Sequence, residues 1–130
     1  MKILILFFLG RAGYISGAIW LKSIFQQDFM DLSHLFPICD AMVQSGKEYV
    51  QRKCNQRQKL PPLMYSYYET EYLGAAHGLC AILQMLISVP GYIQQSYGHV
   101  EIKNSIDFLL ELQTHSGNFP CAMDETPPYR

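Results

Sequence analysis

Tyr72-Leu73-Gly74-Ala75-Ala76-His77-Gly78-Leu79-Cys80-Ala81-Ile82-Leu83-Gln84-Met85-Leu86-Ile87-Ser88 is the stretch on which the fold turns. From Gly74 onward it is apolar on most faces, which predicts a buried helix over 74–89. Pro90-Gly91 then breaks it. A Gly inside a helix costs about 1 kcal/mol relative to Ala. Keeping Gly74 and Gly78 there implies close approach of another backbone or of a ligand, with tight helix packing the plainer reading. The spacing is not the G-x-G-x-x-G of a nucleotide loop, and no clear strand precedes it. Neither glycine-bearing helix has the ~20-residue apolar run that a membrane dimerisation face needs.

Working outward, three more helices are expected. Residues 11–27 are apolar nearly all round, through Ile15, Ala18, Ile19, Trp20, Leu21, Ile24 and Phe25, and so read as a second buried helix. Residues 34–58 follow Ser33, a natural N-cap. Their apolar positions, Leu35, Ile38, Cys39, Met42, Val43, Gly46, Tyr49 and Val50, repeat with an amphipathic period. Leu60-Pro61-Pro62 ends that helix, and the Tyr-rich stretch 63–72 reads as loop or short extended chain. Residues 100–113 are amphipathic, with Ile102, Ile106, Leu109 and Leu110 inward. The alternation of buried and amphipathic helices gives two αα-hairpins, with the first and third helices side by side and roughly parallel. A repeat is audible in two registers: Gly13-x-x-x-Gly17 against Gly74-x-x-x-Gly78, or Gly10-Arg11-Ala12-Gly13 against Gly78-Leu79-Cys80-Ala81. They differ by about two helical turns and present nearly the same face.

At 130 residues the chain has room for one domain, and 49% hydrophobic against 16% charged residues argues against disorder. A net charge of -1 gives no reason to expect nucleic acid or an anionic membrane as partner. Lys47, Arg52, Lys53, Arg57 and Lys59 cluster, but between Gln and Asn they read as a solvated helix face. Cys39, Cys54, Cys80 and Cys121 form no C-x-x-C pair, and the thiols read as reduced. Ile3 to Leu9 resembles a signal-peptide core, but Gly10-Arg11 interrupts it and no small-x-small site follows. It is too short to span a bilayer, and Lys2 excludes N-myristoylation.

Four pieces in order carry a family resemblance: Gly10-Arg11-Ala12-Gly13-Tyr14, Pro62-Leu63-Met64-Tyr65, Tyr72 to Leu79 with its A-H-G, and Ser116-Gly117-Asn118-Phe119-Pro120. In these the chain resembles the LanC-like proteins, the relatives of lanthionine synthetase C, from about Gly10 to Glu125. The resemblance implies an all-α fold, an (α/α) toroid of inner and outer helices of the six-hairpin kind, of which about two helical hairpins are present. Residues 1–130 would then be a partial LanC-like domain, with a divergent apolar stretch at 1–9 and a divergent tail at 126–130.

The family adds thiols, from glutathione or peptide Cys, to dehydroamino acids, with zinc held by two Cys and one His in W-C-x-G and C-H-G motifs. Neither motif occurs in this sequence, whose one Trp is Trp20. The resemblance therefore implies an amino-terminal portion with no cofactor of its own and no activity alone, zinc belonging to the full-length family. The alternative is a non-catalytic helical module binding glutathione or a partner protein. Expected partners are glutathione or a protein substrate. The expected location is the cytoplasm, with peripheral association at the plasma membrane.

His77 is the catalytic candidate, because the resemblance gives the A-H-G histidine a proton-handling role. A helix amino terminus would favour its neutral, proton-accepting form. Gly10, Arg11, Gly13, Gly74, Gly78, Gly117, Asn118 and Pro120 are the structural motif positions, Arg11 through an internal hydrogen-bonded contact. His77 and Cys80, three apart, could form half a metal site, but no second pair is evident and no metal ligand is assigned. For His115 and Cys121, flanking the loop, the reading is a loop polar group, and for Cys39 and Cys54, on or near the second helix, a small core hydrophobe.

Overall fold

The computed structural model describes residues 10–25, 31–53 and 59–126. The apolar run at 1–9, the expected helix ends at 26–27 and 54–58, and residues 127–130 of the tail lie outside the described residues. Among the described residues five helices follow in order: α1 Gly10–Phe25, α2 Phe36–Arg52, α3 Leu79–Ser88, α4 Tyr92–Gln95 and α5 His99–Glu111. Short 3₁₀ turns occupy Leu32–Leu35 and Met123–Glu125. No strand occurs among the described residues, only two isolated β-bridges, and the all-α expectation holds.

The core is built around α3, which packs against α1, α4 and α5. Leu79, Ala81, Ile82, Leu83, Met85 and Leu86 are all buried, as an all-round apolar sequence requires. On α2 the amphipathic reading holds: Cys39, Met42, Val43 and Gly46 are buried, with Ile38, Tyr49 and Val50 against them. Gly46 gives room to Tyr65, whose hydroxyl donates to the Met42 carbonyl at 2.7 Å. Arg11 donates through Nη1 to Ser45 Oγ at 3.1 Å and towards the Ala41 carbonyl at 3.5 Å, tying α1 to α2.

Five expectations need correction. First, α1 is not buried all round. Ala12, Ile15 and Ala18 are buried, while Trp20 is 60% and Ile24 56% exposed. Second, Ser33 does not cap α2. Asp31 caps the 3₁₀ turn by accepting from the Ser33 amide at 2.9 Å, and α2 begins after Leu35 with Pro37 in its first turn. Third, the helix expected over 74–89 starts five residues late, at Leu79. Fourth, Leu110 points outward at 60% exposure. The inner row of α5 is Ile102, Ser105, Ile106 and Leu109, continued by Leu112 at its C-cap, a better 3.6-residue spacing. Fifth, the Pro90-Gly91 break opens a further short helix, α4, which the sequence reading did not anticipate.

Candidate functional site

The chain from Leu73 to Leu79 doubles back on itself. Gly78 N–H donates to the Gly74 carbonyl at 3.1 Å, Leu79 N–H to that of Tyr72 at 3.0 Å, and Cys80 N–H to that of Leu73 at 3.1 Å. The last two bonds satisfy amides of the first turn of α3 without any capping side chain. A Cβ on Gly78 would lie 2.4–2.6 Å from backbone atoms of Leu73 and Gly74, so only Gly fits. Close approach is thus the reason for Gly78, but not for Gly17 or Gly74, neither of which has an atom within 4 Å of where a Cβ would stand.

This curl holds His77 at the surface, just ahead of α3 rather than within it. The histidine and Cys80 therefore do not share a helix face. The His77 ring stacks on Tyr67, centroids 5.5 Å apart and 10° from parallel, and Tyr72 lies 6.2 Å away at a tilt. Tyr67 also meets Tyr68 edge-on at 4.4 Å. Desolvation, with Tyr68 beside it, raises the Tyr67 phenol above its ordinary value.

The segment after the G-N-F-P loop reaches the same place. Leu73 N–H donates to the Cys121 carbonyl at 2.9 Å and Met123 N–H to that of Glu71 at 3.0 Å, around the antiparallel bridge between Tyr72 and Ala122. The loop is closed by Thr114 N–H donating to the Asn118 carbonyl at 2.8 Å, and Gly117 takes a φ of +84° that favours glycine. The fold thus joins the A-H-G and G-N-F-P pieces through backbone bonds. Glu71 also accepts from the Tyr49 hydroxyl at 2.7 Å, and burial followed by this contact pushes that phenol up to about 12.

The cysteines separate by position. Cys39 is buried, and burial followed by the charge of Asp40 raises its thiol to about 12. Cys80 is exposed, and so is Cys121, beside its loop. Cys54 lies outside the described residues. His115 is exposed on its loop, as its polar reading required. Tyr67, Tyr68 and Tyr72 were missed as neighbours of His77, although the Tyr-rich run 65–72 was the visible signal. Among the described residues no group of three or more His, Cys, Asp or Glu could surround a metal ion. Nor is any described helix long and apolar enough to cross a membrane.

A family model described as lanthionine synthetase C-like protein matches residues 7–130. A zebrafish (Danio rerio) relative named glutathione S-transferase LANCL1 is 38% identical over 117 residues, covering 88% of this chain. The chain spans 28% of that relative's length.

Proposed function

Because the chain belongs to the lanthionine synthetase C-like family, we propose that it carries the proton-handling part of the thioether chemistry that the family resemblance implies, through His77, and is inactive alone. Within the family we place it nearest the third vertebrate paralogue, on the strength of its four motif pieces. In the proposed reaction a thiol sulfur bonds to the β-carbon of a dehydroamino acid, and the α-carbon takes up a proton. Glutathione is the thiol we propose, in keeping with the name of the zebrafish relative. The observation that carries this reading is the placement of His77: exposed, backed by Tyr67, on a turn fixed by backbone bonds at both ends. A ring held in this way can accept a proton and return it, which in a formed site contributes about 10²–10⁴-fold.

Zinc, which the family implies, would supply an ionised thiol. The described residues do not fit it. Cys39 is buried, and Cys80 and Cys121 stand in no ligand cluster. Addition needs thiolate, and an ordinary thiol with a pKa of about 8.5 is mostly protonated at neutral pH. These residues therefore offer proton handling without an activated nucleophile. The protein would work in the cytoplasm, with peripheral association at the plasma membrane.

The 130-residue chain is expected to hold less than stoichiometric zinc and to add glutathione to a dehydroalanine peptide no faster than background. Metal analysis and mass spectrometry of the peptide test this. Stoichiometric zinc, with thioether formation that disappears in His77→Ala, would show that ligands such as Cys80 assemble after all.

A further inference from the structure

Around His77 stands more aromatic surface than a proton-handling ring needs. Tyr68 and Glu69 occupy the two central positions of a tight hairpin whose flanks, Tyr67 and Thr70, exchange backbone bonds of 2.9 and 3.0 Å. Both central residues have positive φ, 47° and 66°. Turns of this hand are normally made with Asn-Gly or Asp-Gly, because larger side chains resist such dihedrals. Here a Tyr and a Glu are kept there, and Tyr68 is 79% exposed. Backbone strain held in this way is typical of ligand-contacting positions. The hairpin completes a set of four rings: Tyr67 is edge-on to Tyr68, stacked on His77 and 6.4 Å from Tyr72.

Charge says what these rings would take. From residue 60 to residue 129 the sequence holds one Lys, no Arg and seven Asp or Glu; of these Glu101 and Asp107 are paired with Lys47 and Lys103, and Glu71 binds Tyr49 beside Lys53, which leaves Glu69, Glu111, Asp124 and Glu125. That one Lys, Lys103, is already paired with Asp107 at 2.6 Å. The Tyr72–Ala122 bridge brings the segment holding Glu69 and Glu71 beside the one holding Asp124 and Glu125. Aromatic faces carry negative quadrupole potential and attract cations within about 6 Å of the centroid. Carboxylates of the same sign add to that field. A basic peptide side chain would be drawn in by such a field.

We propose that Tyr67, Tyr68 and Tyr72, with Glu69 at the rim, form a docking platform beside His77 for a Lys or Arg side chain of a peptide. Resting on the thioether reading, this makes the modified peptide one whose dehydroamino acid lies near a basic residue. The docking itself needs no chemistry.

Fluorescence anisotropy of a labelled hexapeptide, acetyl-Gly-Lys-Ser-Arg-Gly-Ser, is the test, beside a version with Glu in place of Lys and Arg. Neither peptide holds a dehydroamino acid, so failed docking and failed thiol addition are read in separate experiments. The basic peptide is expected to bind the chain at least tenfold more tightly than the acidic one, with affinity falling as salt rises. Tyr68→Leu keeps bulk but removes the π face, and Glu69→Lys reverses the rim charge. Each should weaken binding about threefold to tenfold at unchanged helix content by circular dichroism. Equal binding of the two peptides, or no effect of Tyr68→Leu, would overturn the proposal. So would an absence of binding in which the Tyr68 variant instead alters self-association, since a second copy would then cover the platform.

Discussion

Gly78 and Cys39 show how differently single residues declare themselves. Gly78 reads in sequence as a costly helix residue, yet it caps α3 and is required by backbone only 2.4 Å from where a Cβ would be. Backbone cannot yield as a flexible side chain can, so Gly78→Ala should cost about 1–3 kcal/mol or more. The measurement is faster hydrogen exchange at the Leu79 and Cys80 amides, whose bonds to Tyr72 and Leu73 the substitution would break. Cys39 was legible as a core residue because it fell on the apolar stripe of α2. Its thiol is raised from 9.0 to about 12. The protonated form is the one the fold accepts, so its contribution is complete below about 9 and drains away as pH climbs towards 12. At neutral pH, iodoacetamide should label Cys80 and Cys121 readily and Cys39 only slowly. Mass spectrometry of the digested peptides counts the difference, and equal labelling at all three would contradict the packing described.

The elements were legible where period and burial agree. The stripe of α2 and the all-round apolarity of α3 from Leu79 onward both follow from side chains that must leave water. What periodicity could not show was where α3 begins, because Ala75 and Ala76 suit a helix as well as a turn. Backbone bonding across the curl decided the matter, with Tyr72 and Leu73 taking up the amides of Leu79 and Cys80. Tertiary ties follow: Arg11, one residue into α1, reaches Ser45 on α2. Losing this part-buried contact from a charged donor should cost about 1–3 kcal/mol. In Arg11→Ala that cost should appear as faster hydrogen exchange along α1, with α3 little changed. Uniform acceleration in every helix would mean that Arg11 supports the whole core rather than one pairing.

For the whole molecule, the decisive feature is a helix with two apolar faces and one neighbourhood to bury them in. One face of α1, Ala12, Ile15 and Ala18, packs inward, and α1 touches α2 and α3. Tyr14, Leu21 and Ile24, spaced by about two helical turns and then one, lie on another face, with Trp20 beside them, and all four are exposed. Water contact with such surface costs roughly 25 cal/mol per Å², and contiguous patches of this kind drive association. Units of a repeated helical architecture generally need about three neighbours to bury their faces. The chain on its own is therefore expected to self-associate at micromolar concentration and to bind a hydrophobic dye in its dilute form. Trp20→Gln with Ile24→Lys removes apolar surface from the exposed face without touching Ala12, Ile15 or Ala18. It should reduce both dye fluorescence and sedimentation mass while circular dichroism keeps its helical signal. A wild-type chain that stays monomeric, leaves the dye dark and melts sharply at low concentration would show that the exposed face of α1 is tolerated by water, and that the core around α3 suffices alone.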